Sequence, residues 1–385
     1  MDIQVADVNS RMEVDVFILG AGPAGCSAAL HLAPFYRTLL IDRNSNPKPR
    51  AGESLLPAAN RLLRDMGLLD EVRQQGHLPY YGNQSRWGSP SLRETDFLRD
   101  PMGHGWHLDR QEFEIWLRKK AIERGAALLA PARLAHVEWE ANQRWKITVL
   151  YDDQRSTPQS GSVDQRTVIQ ARVLIDAGGR TPVIAKRLGA TRIQLDNMVC
   201  SWVIGGAQTD PSQPGFSYIH STPQGWWYTA PAPGGKQILA FHTRAGNPAT
   251  AWMHSAKSLR EQSQKIPHLG ERIRFEGIDQ GSWQWQHGFT AANSAMTQPA
   301  VGTAWLTAGD AALSFDPLSS QGIFNALYTG LAASESAYRF LQGQISDFAE
   351  YQRQLEAIRA AYERHLQEWY RSETRWSGEE FWMGR

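Results

Sequence analysis

The segment Val14–Ala33, VDVFILGAGPAGCSAALHLA, joins a short apolar run to three closely spaced glycines and an alanine-rich stretch. The run VDVFIL is typical of a buried strand, and CSAALHLA is typical of a helix. A second apolar run, Thr38–Ile41, follows and ends at Asp42. Strand, helix and strand in this order predict a βαβ unit with parallel strands, and therefore a fold of the α/β class.

The glycines have the Gly-x-Gly-x-x-Gly spacing of a dinucleotide-binding turn, at Gly20, Gly22 and Gly25. The first permits a tight turn, the second lets a pyrophosphate approach the backbone, and the third lets helix and strand pack closely. Free N–H groups and the positive dipole end at the helix start favour the phosphates. Asp42, about 20 residues further on, suits a hydrogen bond from an adenosine ribose 2′-OH and would repel the 2′-phosphate of NADP.

Composition narrows the class of protein. The 385 residues are enough for two or three domains or for one large discontinuous fold. The 40 Lys and Arg balance 39 Asp and Glu, which argues against a nucleic-acid partner and against a polybasic membrane anchor. Two cysteines, Cys26 and Cys200, provide neither a disulfide framework nor a thiolate metal site, so we expect no metal.

The cellular compartment is indicated by the same features. Two isolated cysteines fit a reducing environment. No apolar run approaches the roughly 20 residues that cross a bilayer, and the first 16 residues lack the basic-then-apolar layout of a secretory signal. We therefore predict a cytoplasmic protein without membrane contact.

Two later helices are predicted from periodicity. Asp109–Arg124 has an amphipathic pattern and is followed by Gly125, a favourable residue after a helix. Another helix follows Asp347. Its expected apolar face recurs at steps of three and four residues and consists of Tyr351, Leu355, Ile358, Tyr362, Leu366 and Trp369.

Four segments together resemble the flavoprotein monooxygenases that share the p-hydroxybenzoate hydroxylase fold. They are GAGPAG at Gly20–Gly25, LDR at Leu108–Arg110, LIDAGGR at Leu174–Arg180 and AGDAALSFDPLSSQG at Ala308–Gly322. The resemblance spans nearly the whole chain and implies FAD as the cofactor. It also implies an α/β (α+β) fold, with a Rossmann-like FAD-binding domain of the glutathione-reductase type, an interleaved antiparallel-sheet substrate domain and a C-terminal helical tail.

Domain boundaries are expected accordingly. The FAD-binding domain is discontinuous and takes residues 1–77, 107–190 and 299–340. The substrate domain takes residues 78–106 and 191–298, where aromatic residues and turn signals indicate an antiparallel sheet. Residues 341–385 form the C-terminal helix and tail.

Cofactor-binding residues follow from the resemblance. The family places the Gly309–Asp310 pair at the ribityl-pyrophosphate and the turn after Asp316 beside the pyrimidine ring. A helix starting near Gln321–Gly322 would offer N–H donors to the negative charge of reduced flavin near N1. The full expected set is Gly20, Gly22, Pro23, Ala24, Gly25, Asp42, Arg43, Gly52, Glu53, Ser54, Arg110, Gly178, Gly309, Asp310, Pro317, Ser320, Gln321, Gly322 and Ile323.

The branch of the family is narrowed by GESLLP at Gly52–Pro57, which resembles an element of flavin-dependent halogenases and geranylgeranyl-reductase-like enzymes. Halogenases of this fold also need a lysine shortly after that element and a Trp-x-Trp-x-Ile-Pro signature. No lysine occurs between Lys48 and Lys119, and WQWQHG at Trp283–Gly288 lacks both Ile and Pro. Halogenation is therefore disfavoured.

Three segments resemble a smaller branch, the flavoproteins that mature quinone-cofactor oxidases. They are GWWYTAP at Gly225–Pro231, DPLSSQGIFNAL at Asp316–Leu327 and the aromatic tail Trp369–Trp382. The resemblance implies a partner, the precursor of a quinone-cofactor oxidase or dehydrogenase. A tryptophan of that precursor would be hydroxylated by way of a flavin C4a-hydroperoxide, during biogenesis of cysteine tryptophylquinone.

Two alternatives stay open at this point. One is a small-molecule aromatic monooxygenase or halogenase-like enzyme of secondary metabolism, and the other is a non-catalytic FAD-binding maturation chaperone. The chain has no second strand–GxGxxG–helix unit, so electrons would come from an external reductase or from transiently bound NAD(P)H.

Catalytic residues are sought among aromatic and titratable side chains. A dry wall of aromatic rings would position an indole and exclude water, and its candidates are Trp226, Trp227, Tyr228, Trp283 and Trp285. A histidine or Glu53 would serve as base; the histidines considered are His104, His107, His242 and His287. The preferred catalytic set is Glu53, Trp227, Tyr228, His242 and His287. A protein substrate also predicts a wide mouth over the flavin.

Overall fold

A computed structural model describes residues 11–152, 164–208, 215–275 and 286–384. Eight α-helices and five β-sheets within these ranges confirm the predicted α/β class. Trp283 and Trp285 lie outside the described residues. The helices, in chain order, are α1 Pro23–Leu32, α2 Ala59–Asp65, α3 Leu69–Val72, α4 Arg110–Glu123, α5 Val183–Arg187, α6 Ala256–Gln264, α7 Gly322–Leu341 and α8 Ala349–Arg371.

A six-stranded sheet, here called the parallel sheet, contains both strands of the predicted βαβ unit. Five of its strands are parallel, and one antiparallel strand lies at an edge. Alternate residues of its central strands pack into two different cores, which explains why these strands are continuous apolar runs. Its order is Val301–Gly302, Trp305–Thr307, Val173–Asp176, Val16–Leu19, Thr38–Ile41 and Ala127–Leu129.

A four-stranded sheet covers one of these two cores. Three of its strands form an antiparallel meander, and the fourth pairs with it in parallel from the start of the described chain. Its order is Arg11–Glu13, Asp164–Ala171, Trp145–Asp152 and Ala132–Trp139.

The largest sheet has eight strands and is here called the large sheet. Its strand Met198–Gln208 pairs on one side with both Arg274–Phe275 and Gln286–Ala291, which form that edge of the sheet. The remaining order from Met198–Gln208 is Lys236–Arg244, Gly225–Ala232, Phe216–Thr222, Gly82–Arg86 and Arg93–Asp96. Because side chains alternate across a strand, Trp226 and Tyr228 face one side of this sheet and Trp227 faces the other.

Two small three-stranded sheets connect the larger ones. The first contains Thr191–Gln194, Ala295–Gln298 and Leu313–Ser314. The second contains Ser54–Leu55, Gly105–His107 and Leu78–Tyr80. The second sheet thereby holds the GESLLP element against the start of the large sheet.

Helices α1 and α7 cross closely behind the parallel sheet. A Cβ on Gly330 would lie 2.3 Å from the Ala24 carbonyl oxygen, so only glycine permits this approach. The Ser27 hydroxyl donates to the Leu327 carbonyl over 2.8 Å. No helix of the described ranges is both long enough and apolar enough to cross a bilayer.

Helix α8 buries three of the six residues of the predicted apolar face, Tyr351, Leu355 and Tyr362. The last turn differs from the prediction. Trp369 is 49% exposed, whereas Tyr370 is only 4% exposed. The reason is tertiary, because Trp87 of the large-sheet region packs edge-on against Tyr370 at 5.7 Å and covers that flank of the helix.

Candidate active site

The glycine turn between Val16–Leu19 and α1 is shaped by two close approaches and one open position. A Cβ on Gly20 would lie 2.4 Å from the Ala177 carbonyl oxygen, and one on Gly25 would lie 1.9 Å from the Gly20 carbonyl oxygen. Gly20 also has a φ of +100°. A Cβ on Gly22, in contrast, would meet no atom within 4 Å. Gly22 is thus the place where the backbone is accessible to a ligand.

Asp42, at the end of the second strand, organises this turn. Its Oδ2 accepts from the Ala21 amide at 2.9 Å and lies 3.1 Å from Arg118 Nη2 of α4. Its Oδ1 accepts from the Asn44 amide at 2.8 Å. Arg118 also donates to the Ala21 carbonyl at 2.9 Å. Since a carboxylate offers about four lone-pair positions, Asp42 can still accept from a ribose hydroxyl.

The segment around Gly309 and Asp310 lies directly against the glycine turn. A Cβ on Gly309 would lie 2.8 Å from the Ala24 Cβ, and its φ is +61°. The Gly309 amide donates to the Thr329 hydroxyl of α7 at 2.8 Å. Asp310 Oδ2 lies 3.6 Å from Arg180 Nε of the LIDAGGR segment. Three motifs that are far apart in sequence therefore meet at one place.

The turn that leads into α7 is stabilised at its first residue. Asp316 caps it, because its Oδ1 accepts from the Leu318 amide at 2.9 Å. Pro317 starts a short 3₁₀ turn, and Ser320 has a left-handed φ of 52°. No side chain among the described residues caps the following helix start at Gln321, and a Cβ on Gly322 would meet nothing within 4 Å. The first N–H groups of α7 are therefore available to an electron-rich group.

The GESLLP element is tied to α4 through Arg110. Arg110 Nη1 donates to the Gly52 carbonyl, and its Nε donates to Glu114, both at 2.6 Å. Arg50 pairs with the same Glu114 carboxylate. Burial lowers the pKa of Arg110, and the neighbouring Arg50 lowers it further, whereas Glu114 and Asp310 raise it. Arg110 and Glu114 thus anchor the GESLLP element to α4.

Glu53 and Tyr228 form a buried polar cluster between this element and the large sheet. The Tyr228 hydroxyl donates to Glu53 Oε1, and Glu53 Oε2 accepts from the Gly52 amide at 3.1 Å. Two further hydroxyls contact the Tyr228 oxygen, Ser54 Oγ at 2.7 Å and Ser217 Oγ at 3.2 Å. Ser54 comes from the motif, whereas Tyr228 and Ser217 come from the sheet.

Burial determines the protonation of this cluster. It raises the pKa of Glu53, although the hydrogen bond from Tyr228 opposes the rise. It also raises the pKa of Tyr228, and the Glu53 charge raises it further. Burial raises the pKa of Tyr80, and its hydrogen bond to Asn83 and the neighbouring hydroxyls of Ser217 and Ser320 oppose the rise. Tyr80 thus lies near both the cluster and the turn before α7.

A cavity of about 50 Å³ opens beside Glu53. Its walls include Arg50, Arg110, Ile204 and Lys236. This volume holds a few water molecules and is far below the roughly 300–1,000 Å³ of typical ligand pockets. The cavity beside Glu53 is therefore not the wide mouth that a protein substrate predicts.

Three of the predicted catalytic residues lie away from this cluster. Trp227 faces the opposite side of the large sheet, where its ring stacks on Trp252 with centroids 5.7 Å apart. His287 Nε2 lies 3.1 Å from the Ser201 hydroxyl and from the Met253 carbonyl oxygen, whose residue belongs to the same opposite-side core. His242 shares a face with Tyr228 but stacks on Trp226 at 3.7 Å. Alternation along the strand separates Trp227 from Tyr228, whereas the positions of His242 and His287 depend on the pairing of strands that are distant in the sequence.

The other histidines and predicted cofactor residues are placed as follows. His107 is buried opposite Ser54, with its ring 4.5 Å from Tyr80, and burial lowers its pKa to about 3. His104 contacts its neighbour's carbonyl oxygen. Pro23 and Ala24 begin α1, and Arg43 is exposed beside Asp42. The Gly178 amide donates to Asp176 at 3.1 Å. Ile323 is buried in the first turn of α7.

These residues fit FAD. The open backbone at Gly22 and the uncapped start of α7 at Gly322 are two places where a ligand's charge would meet free N–H groups. Asp42 suits a ribose, and Gly309, next to Asp310, lies between Ala24 of α1 and Ala326 of α7. A dinucleotide with a central pyrophosphate and an electron-rich ring at one end matches this donor set.

A search against protein families supports this fit independently. Residues 13–331 match the FAD binding domain family. The chain belongs to this family. Its members are flavin-dependent enzymes, and FAD is the cofactor of this protein.

Curated relatives are similar over nearly the full chain. The putative FAD-dependent oxidoreductase LodB of Marinomonas mediterranea is 25% identical over 377 residues, which cover 96% of both chains. The 1H-pyrrole-2-carbonyl-[peptidyl-carrier protein] brominase of Pseudoalteromonas luteoviolacea is 23% identical, and the match covers 86% of this chain and 78% of the brominase. The flavoprotein family identified from motifs is thus confirmed, together with its halogenase relatives.

Solved structures show the same fold. The myxobacterial chondrochloren halogenase CndH matches with a TM-score of 0.83 and 21% identity, over 96% of this chain and 85% of that one. The peptidyl tryptophan dihydroxylase QhpG, described as essential for tryptophylquinone cofactor biogenesis, matches with a TM-score of 0.69 and 22% identity, over 96% and 78%. At these identities the likeness establishes the fold alone.

Several residues of the site were missed in the sequence. Arg118 and Glu114 lie on the buried face of α4, where a charged residue is easily mistaken for part of the solvated face. Tyr80 and Ser217 join the Glu53 cluster from separate strands. No local motif marks them, because each is brought to the site by sheet pairing.

Proposed function

We propose that this protein is an FAD-dependent monooxygenase that hydroxylates a tryptophan side chain of a partner protein, the precursor of a quinone-cofactor oxidase or dehydrogenase. The observation that carries the proposal is the match over 96% of both chains to the LodB oxidoreductase. The motifs at Gly225–Pro231, Asp316–Leu327 and the aromatic tail support it, since they resemble flavoproteins that mature such oxidases. The fold likeness to a peptidyl tryptophan dihydroxylase is consistent with it.

In this proposal the chain's own residues position the cofactor and handle a proton. Bound and reduced FAD supplies the activation of O₂. The amides near Gly22 hold the pyrophosphate, and the start of α7 at Gly322 stabilises negative charge on the ring. Glu53 Oε1 accepts a hydrogen bond from the Tyr228 hydroxyl, and Glu53 borders the cavity.

Glu53 is proposed as the base that removes the ring proton of the hydroxylated carbon. Burial raises the pKa of Glu53 toward neutral pH, and a pKa near the working pH suits a general base. The hydroxyls of Ser54, Ser217 and Tyr228 connect the carboxyl to Tyr80 and allow a proton to leave the buried cluster. Tyr228 is proposed to orient Glu53.

Halogenation is the second candidate, because halogenases are also similar to this chain. Two observations favour hydroxylation over it. No lysine occurs between Lys48 and Lys119, where halogenases of this fold need one. The similarity extends over 96% of LodB but over 78% of the brominase.

The test is mass spectrometry of a substrate protein. A precursor of a cysteine tryptophylquinone oxidase, with its tryptophan and cysteine unmodified, is incubated with this protein, FAD, a chemical reductant, ¹⁸O₂ and bromide. We expect ¹⁸O in the precursor's tryptophan. Bromine in place of ¹⁸O would overturn hydroxylation in favour of halogenation, and an unlabelled precursor with free H₂O₂ would overturn both.

Two variants make the result specific. Glu53→Gln and Tyr228→Phe keep the size of each side chain but remove the proton acceptor or the hydroxyl donor. Each should lower ¹⁸O incorporation about 10- to 100-fold. The control Tyr151→Phe also deletes one tyrosine hydroxyl, which donates to Gln165 at 2.8 Å in the four-stranded sheet, and should leave incorporation unchanged.

The supply of electrons belongs to the proposal as well. Either an external reductase or transiently bound NAD(P)H reduces the cofactor, since the sequence has no second dinucleotide-binding turn. Anaerobic mixing with NADH or NADPH, followed by the flavin absorbance near 450 nm, distinguishes the two sources. The cytoplasmic location remains a prediction from cysteine usage.

A further inference from the structure

Asp316 is the acidic residue at the start of the turn that leads into α7, and only 1% of its surface is exposed. The aspartate Oδ1 caps this turn by accepting from the Leu318 amide at 2.9 Å. The position of Asp316 therefore sets the path of Pro317–Ser319, and through it the start of α7 at Gly322. Contacts that fix Asp316 also fix the N–H groups at the start of α7, which would face the flavin.

Helix α8 contacts Asp316 through two tyrosines. The backbone amide of Asp316 donates to the Tyr362 hydroxyl at 2.7 Å. The Tyr370 hydroxyl donates to Asp316 Oδ2, also at 2.7 Å. Both tyrosines are buried, and Tyr362 also shares a 2.6 Å hydrogen bond with the Ser294 hydroxyl. The ring of Tyr362 stacks on Phe315 with centroids 4.2 Å apart, so the aromatic ring is fixed as well.

The large sheet reaches the same carboxylate through Tyr370. The Trp226 indole N–H donates to the Tyr370 hydroxyl at 3.2 Å. Trp226 is two residues before Tyr228 on the same strand and the same face. The chain of bonds Trp226–Tyr370–Asp316 thus connects the strand that carries Tyr228 with the turn before α7.

We propose that Tyr362 and Tyr370 are positioning residues that hold Asp316. Through Asp316 they fix the turn before α7 at a defined position relative to the strand that carries Tyr228. The proposal rests on FAD binding and does not depend on which substrate is hydroxylated. Helix α8 lies at 349–371, beyond the residues that match the FAD binding domain family. An element outside the family's domain therefore adjusts the cofactor site.

Hydrogen bonds to a buried carboxylate are stronger than bonds between neutral groups, and losing one leaves the acceptor incompletely paired. Phenylalanine keeps the ring packing of a tyrosine and removes only its hydroxyl. If the two hydroxyls merely stabilise the fold, their loss will lower the melting temperature but leave the affinity and spectrum of FAD unchanged. If they position the turn, the properties of bound FAD will change.

The experiment compares Tyr370→Phe and Tyr362→Phe with the wild-type protein and with Tyr151→Phe, whose hydroxyl donates to Gln165 far from the turn. Four quantities are measured. They are the melting temperature without FAD, the FAD dissociation constant, the visible spectrum of bound FAD, and its reduction potential. We expect each of the two variants to weaken FAD binding about tenfold and to shift the potential, with Tyr151→Phe unchanged.

Wild-type FAD affinity, spectrum and potential in both variants would overturn the proposal, whatever their melting temperatures. Should Tyr370→Phe fail to fold, Tyr362→Phe decides the question, since it removes the hydroxyl that the Asp316 amide contacts. Trp226→Phe provides the last check on the link to the sheet. It deletes the indole donor to Tyr370 together with part of the buried ring that stacks on His242, and we expect a smaller shift of potential in the same direction. Hydroxylation could fail on every substrate tested without affecting these outcomes.

Discussion

Gly22→Ala is expected to separate cofactor binding from folding. A Cβ at this position would meet no atom within 4 Å. The backbone of Gly22, with φ −82° and ψ −171°, is extended and accessible to alanine. Alanine is a weaker helix cap than glycine, which lowers stability, but it also reduces the conformational entropy of the unfolded chain, which raises stability. The free energy of unfolding without FAD should therefore change by less than about 1 kcal/mol.

FAD binding should respond strongly to the same change. A pyrophosphate oxygen that accepts from the backbone lies about 2.9 Å from the amide nitrogen, so the added methyl would occupy its space. Losing one or two charge-assisted hydrogen bonds weakens FAD binding about 10- to 100-fold. The assay is a titration of apoprotein with FAD, followed by quenching of flavin fluorescence, alongside thermal melting of the apoprotein.

Two further glycines are the controls. Gly25→Ala would bring a Cβ to 1.9 Å from the Gly20 carbonyl oxygen and should destabilise the apoprotein by at least about 2 kcal/mol. Gly378, like Gly22, would present its Cβ to open space, and Gly378→Ala should alter neither property. Wild-type FAD affinity in Gly22→Ala would refute the placement of the pyrophosphate at this turn.

Three more outcomes are expected. Burial lowers the pKa of His242 to about 3. The contribution of this neutral imidazole to the stability of the protein is therefore complete above pH 6.5 and is lost as the pH falls. Between pH 7 and 5 this should cost about 2 kcal/mol, and His242→Gln should reduce the loss in urea denaturation. Gly330→Ala would bring a Cβ to 2.3 Å from the Ala24 carbonyl oxygen, and should lower both the melting temperature and FAD affinity; no effect on either would contradict the close packing of α1 on α7. Glu373 is fully buried beside Arg375. Glu373→Ala should lower the free energy of unfolding by about 3 kcal/mol, and an unchanged urea midpoint would exclude a stabilising role.

The local pattern was sufficient for the cofactor turn. Gly20, Gly22 and Gly25 are adjacent in sequence, and their roles follow from the backbone geometry of one strand–helix junction. The same is true of α4, whose start at Arg110 follows a capping Asp109. Short-range sterics and periodicity decide such features, so they can be predicted without a tertiary structure.

Catalytic residues were harder to predict. Of the preferred set, Glu53 and Tyr228 are in contact, whereas Trp227 points away from them and His287 lies with the opposite core. Adjacent residues of a strand face opposite sides, so the aromatic run at 226–228 could not form one wall. Which side faces the cofactor is set by the packing of the large sheet.

The amino-acid sequence determined the α/β class and the strand–turn–helix junction at Gly20–Gly25, and it predicts a flavin contact in the segment after Ala308, because each depends on residues close together in the chain. Only the tertiary structure decided that Glu53 meets Tyr228, and that Tyr370 rather than Trp369 turns inward to Asp316. Those contacts join residues more than 50 positions apart. Their geometry depends on strand register and helix packing, which no local pattern encodes.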